Sequence, residues 1–193
     1  MFSPLIHRLQ KLCLPANTAT ISRRWLQLAP AWLARSLPAL SSVLYEPMQP
    51  SGAATWELPR GLLVESMPLV PLLQGRRLAA VSTITVEGPR EWIECVDGDD
   101  RLRARLHLLP DTDYLAWDAL LDRAEPASAP TSTGWSYACP AAGAQLLRFH
   151  LRRLAGLDVL GGEVVVRVSP LSRQLAGQIA RVETRAWRPA ANG

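Results

Sequence analysis

The chain has 193 residues, 48% of them hydrophobic, which suits one domain with a real core. Its formal charge of +4 is modest and nearly all arginine, with Lys11 the lone lysine. Arginines interleave with acids, as in Glu87, Arg90 and Glu91, so no dense basic patch marks a nucleic-acid binder, and no run reaches the roughly 18 apolar residues of a membrane span.

Residues 1–14 read as an amphipathic helix, with Phe2, Leu5, Ile6, Leu9, Leu12 and Cys13 on one side. His7, Arg8 and Lys11 interrupt its apolar run, which is not the pattern of a secretory signal. Residues 21–44 keep a helical pattern broken by Pro30 and Pro38, giving short helices and a helical N-terminal part over 1–45. Pro47, Pro50 and Gly52 make 46–55 a loop, and a short strand is expected at 62–65.

The most legible stretch is 79–124, a β-hairpin plus helix. β-Branched residues at 80–86 predict a strand closed by Gly88-Pro89, and Trp92, Ile93 and Val96 a second. Asp97-Gly98-Asp99-Asp100 supplies turn chemistry. From Arg101 the alternation is strict: Leu102, Ala104, Leu106 and Leu108 face one way, Arg101, Arg103, Arg105 and His107 the other. A period of two predicts a strand with one wet face. Pro110 stops it, Asp111 or Thr112 is the expected N-cap, and a helix follows to Ala124 with Trp117, Leu120 and Leu121 on one side.

The polar, proline-containing residues 125–133 read as a linker. Beyond it, a helix is expected from Pro140 to Leu154, with Leu147, His150, Leu151 and Leu154 on one face. Gly161-Gly162 is expected to break the chain before a buried strand at 163–168, and a further strand is preferred over a helix from about Gly177 to Trp187. The whole is expected to be a single α+β domain over 1–193, a largely antiparallel sheet with helices at its ends or on one face.

Three cysteines, Cys13, Cys95 and Cys139, lie far apart with no CxxC pair, so neither a zinc ribbon nor a redox motif is supported; Cys95 reads as a small buried hydrophobe in a reducing compartment. No nucleophile–base pair, calcium loop or phosphate cradle is present. The arginine face of the 101–108 strand spaces its side chains by roughly 6.5–7 Å, and such a stripe suits carboxylates, with His107 on a metal or in a hydrogen bond. His150, beside Phe149 on an apolar helix side, is the other candidate metal ligand. Trp135 and Tyr137 are placed at a pocket mouth.

The run from Trp92 to Leu121 (WIECVDGDDRLRARLHLLPDTDYLAWDALL) resembles a recurring unit of the bacterial cytoplasmic haem-utilisation and haem-carrier family. That unit has a strand, a short Asp/Gly turn, a second strand ending in a charged loop, and a helix. Here Leu109-Pro110-Asp111-Thr112-Asp113 replaces the charged loop, and no axial histidine is matched residue by residue. The resemblance implies a non-catalytic cytoplasmic haem carrier, with His107 or His150 on iron and Arg103 or Arg105 on the propionates. The alternative is an adaptor or assembly factor, docking a protein partner through apolar, proline-broken helices; a homodimer is a separate expectation. An enzyme acting on a small hydrophobic substrate is the third class, without a visible catalytic pair.

Overall fold

A computed structural model describes residues 21–27, 29–48, 58–85, 87–129 and 143–186. Among them run β1 (Ile21–Gln27), α1 (Pro30–Ser36), a 3-10 turn (Leu37–Leu40), β2 (Ser42–Pro47), β3 (Leu62–Val64), a second 3-10 turn (Met67–Leu69) and α2 (Val70–Leu73). Then come β4 (Arg77–Thr85), β5 (Gly88–Val96), β6 (Leu102–His107), α3 (Tyr114–Asp122), β7 (Glu125–Pro126), β8 (Gln145–Leu154), β9 (Leu157–Val164) and α4 (Pro170–Ala186). The strands form one sheet in the order β3-β9-β8-β2-β6-β5-β4-β1-β7. Of the pairs in it, β3–β9 is parallel and its neighbours are antiparallel, so the expected α+β class is the one observed. No described helix is long and apolar enough to cross a membrane.

Facing residues on paired strands share a side of the sheet, and the registers therefore define two faces. On the first, Leu26, Leu78, Cys95 and Ala104 form one row, and Ile93, Leu106 and Tyr45 lie in the next. Helix residues Leu33, Leu37, Leu40, Leu72, Leu73, Trp117 and Leu120 close over these rows in one apolar core. Tyr45 satisfies its hydroxyl by donating to the Pro68 carbonyl at 2.5 Å. The second face carries α4, whose Leu175, Ala176 and Ile179 pack with Leu44, Leu109 and Leu146.

The β5–β6 turn forms as its residues dictate. Asp97 Oδ1 accepts from the amides of Asp99 and Arg101, both at 2.9 Å, and Asp100 takes φ 62°, which Asp tolerates. The helix cap sits later than expected: Asp113, not Asp111 or Thr112, accepts from the Ala116 amide at 2.9 Å. Asp111 is used instead to dock α4. Its carboxylate accepts from Ser169 N–H at 2.6 Å, and its own amide donates to Ser172 Oγ at 3.1 Å. The bond from Ser169 holds the Asp111 carboxyl below its ordinary pKa. Thr112 Oγ1 donates to the Ser42 carbonyl at 2.6 Å, which ties the same loop to β2.

Several expectations are corrected. Residues 21–44 are not a broken helix: 21–27 pair with β4, and Pro30 starts α1 at its first turn, where a missing N–H costs nothing. The expected helix 140–154 is strand β8 from Gln145, because Leu147, Phe149 and Leu151 alternate onto the core while β2 and β9 take up the backbone groups. Gly161-Gly162 lies inside β9 rather than breaking the chain, and the strand expected at 163–168 ends at Val164. The preferred strand from Gly177 is part of the 17-residue α4, opened by Pro170. The first two linker residues also pair, as β7, with Leu26 and Gln27. The residues 1–14 expected as a helix, with Cys13 and Cys139, lie outside the described residues.

Candidate functional site

On the second sheet face, β5 and β6 set a charged row beside an aromatic one. Trp25, Ala79, Glu94, Arg105 and Glu46 stand across from one another, and Arg23, Val81, Trp92, His107 and Leu44 form the adjacent row. Glu46 and Glu94 are each 1% exposed, so their charges must be paired. Arg105 reaches Glu94 at 3.4 Å through Nε and Glu46 at 3.6 Å through Nη1. Glu94 also accepts from Arg23 Nη2 at 3.0 Å and Trp92 Nε1 at 3.1 Å. Two carboxylates thus meet two guanidinium groups, with His107 beside them: its Nε2 lies 3.5 Å from Glu46 Oε2 and its ring 6.2 Å from that of Trp92, tilted by 33°.

Where β4, β5 and β6 meet α4, this face opens into a cavity of about 370 Å³. Trp92, His107, Leu108 and Ile179 supply its flat and apolar walls, Thr83, Thr85, Arg90, Arg105 and Gln178 its polar and basic ones, and Glu87 and Glu91 complete the lining. The size lies within the range of small-molecule sites, and so does a lining of apolar walls with a few convergent polar groups.

The sequence candidates separate. His107 and Arg105 line the cavity, but the strand face they occupy is not wet: they are 6% and 9% exposed, because α4 and the acidic neighbours on β2 and β5 cover it. Arg103, at the turn end of β6, is held by Asp97 through its Nε at 2.6 Å. His150 does not sit on a helix. It lies on β8, its ring nitrogen 2.9 Å from Glu65 Oε2, while Arg152 takes the other oxygen of Glu65. Two strand-to-strand steps and four residues separate it from His107 in register, roughly 16 Å at ordinary strand spacings, so the two histidines do not share a site. Trp135 and Tyr137 lie outside the described residues. Among the described residues no group of three or more His, Cys, Asp or Glu side chains is placed to hold a metal ion.

The cavity residues Thr83, Arg90 and Gln178 were not among the candidates. Arg90 was missed because Gly88-Pro89 reads as the end of a hairpin, whereas β5 starts at Gly88, at φ 119°. Extending the period-two pattern back from Trp92 would have placed Arg90 beside it. The proline-started helices α1 and α2 turn Leu33, Leu72 and Leu73 into the core.

No family model and no curated protein sequence matches the chain. Among solved structures it is similar to holo-PhuS, a heme-binding protein from Pseudomonas aeruginosa, at 17% identity and a TM-score of 0.39. The match covers 57% of this chain and 39% of that one, so the chain spans well under half the length of that protein.

Proposed function

We propose that the chain is a non-catalytic, cytoplasmic haem-binding protein that carries haem in iron acquisition. The observation that carries this reading is the cavity on the second sheet face, where an imidazole, an indole, apolar walls and guanidinium groups converge. The segment that resembles the haem-utilisation unit contributes Trp92, Arg105, His107 and Leu108 to it.

The donor set fits such a ligand. In the tautomer that points Nε2–H at Glu46, the ring of His107 keeps Nδ1 as its lone pair, and a carboxylate behind an imidazole orients it as a metal ligand. Trp92 and Ile179 offer apolar contact, and arginine suits the acid groups. Bound haem would supply the iron and a visible chromophore; the chain holds it and releases it, without chemistry of its own.

The test is titration of the full chain with haemin at low micromolar concentration, followed by the Soret band. One equivalent should saturate, with the sharp band of an imidazole-ligated iron. His107→Ala should shift or abolish it, while His150→Ala, which loses only a contact with Glu65, should leave it intact. Absence of a stoichiometric end point, or an unchanged spectrum in His107→Ala, refutes haem carriage.

A further inference from the structure

At the end of the cavity away from His107, β4 and β5 bring Thr83 and Arg90 directly across from each other, with Cβ atoms about 5 Å apart by ordinary cross-strand geometry. Thr83 is 8% exposed, and its hydroxyl lies fully out of solvent with no hydrogen-bond partner among the described residues. Buried hydroxyls are nearly always paired, so an orphan one on a residue that lines the cavity points to something that completes it. Arg90 is also incompletely committed. Its Nη2 donates to Gln178 Oε1 of α4 at 2.7 Å and to Glu87 Oε2 at 2.8 Å. The first of these acceptors is a neutral amide, and the second is a side chain 49% exposed to water. Arg105 differs, since two carboxylates that are themselves 1% exposed already oppose its charge.

We propose that Thr83 and Arg90 form the acid-recognition end of the cavity and take a carboxylate of an apolar ligand in place of the Gln178 amide. A carboxylate there accepts from the Thr83 O–H and from the Arg90 guanidinium, and a charged acceptor outcompetes a neutral amide for the same N–H. Glu87 stays at the exposed rim, where water screens it. The specificity follows: acids are favoured over their neutral esters, and binding frees Gln178, the polar tie between α4 and β5. The inference rests on the proposed reading of this cavity as a ligand site, but not on the ligand being haem.

The test uses 1-pyrenebutyric acid and its methyl ester as probes, titrated by fluorescence into the full chain. The wild type should bind the acid about tenfold or more tightly than the ester. Thr83→Val, which keeps the β-branched shape and removes the hydroxyl, should weaken the acid several-fold and leave the ester unchanged. Arg90→Gln should bring acid and ester to equal affinity, and Gln178→Ala should tighten the acid alone. Far-ultraviolet circular dichroism confirms that each variant is folded. Equal binding of acid and ester to the wild type, binding of neither, or an unchanged acid-to-ester ratio in both Thr83→Val and Arg90→Gln overturns the proposal. Haemin is absent from this titration and His107 is untouched, so failure here and failure of haem carriage are read separately.

Discussion

Leu106 and Arg105 are neighbours on one strand, 0% and 9% exposed, yet different physics keeps each of them from water. Leu106 lies among Ile93, Tyr45 and the leucines of α1–α3, where burial is favourable contact by contact and no neighbour is indispensable. Arg105 lies between Glu46 and Glu94, where desolvation is costly and only mutual pairing offsets it. The apolar face is therefore tolerant in chemistry and sensitive to volume. The charged face is the reverse, because removing one member strands the others. A sheet can be dry on both sides while only one side is a conventional core.

The largest effect expected is on the charged face. Glu94→Ala removes the acid shared by Arg23, Arg105 and Trp92, and should cost about 3–5 kcal/mol in urea unfolding, the range for breaking a buried pair. A loss under about 1 kcal/mol is what a solvated surface pair gives, and would break the comparison. On the apolar face, Leu106→Ala should cost about 3 kcal/mol by lost burial and cavity formation, with no change in the salt dependence of stability. Glu94→Ala should change that dependence, and this contrast sharpens the distinction between the faces.

A third effect is set by pH. Burial, with the nearby Glu94 charge adding to it, pushes the Cys95 thiol up to about 12 from an ordinary value of 9.0. A raised folded-state value means that the unfolded chain releases the proton first. The contribution is therefore complete below pH 9 and declines as pH rises from there towards 12. About 1 kcal/mol should be lost between pH 9 and 10, measured as urea midpoints, and Cys95→Ala should flatten this slope. The smallest effect is expected at the sheet's other end. A Cβ on Gly161 would meet the Glu65 carboxylate and the His150 ring, both tips of movable side chains. Gly161→Ala should displace those two side chains while moving the melting temperature by no more than about a degree or two. A large drop would show that Glu65 and His150 hold the edge strand β3 in place.

The hairpin, its Asp97 turn and the α3 stripe of Trp117, Leu120 and Leu121 were legible because each rests on local chemistry: turn residues, strict alternation and a three- and four-residue spacing. Residues 145–154 were not, because Leu147, His150, Leu151 and Leu154 satisfy a helical spacing while Leu147, Phe149 and Leu151 satisfy an alternating one. The choice was made by β2 and β9, distant in sequence. Proline misled in a regular way: at Pro30 and Pro170 it opens helices, though it was read as breaking one at the first and the second went unused. The site was half visible. Arg105 and His107 follow from alternation, but their burial depends on Glu46 and Glu94 arriving from other strands, and α4 over the cavity was taken for a strand.

Strand β2 enters the sheet between β6 and β8, so one of its neighbours ends at His107 and the other does not begin until Gln145. As the chain leaves the ribosome, β2 can pair with β6 well before β8 exists. Its second row of backbone donors and acceptors, flanked by Val43, Leu44 and Tyr45, then stands open as a template for any passing strand. Synthesis speed over residues 108–154 therefore sets how long that edge is unguarded. Rare codons there would raise the yield of aggregate without altering a single contact of the finished fold.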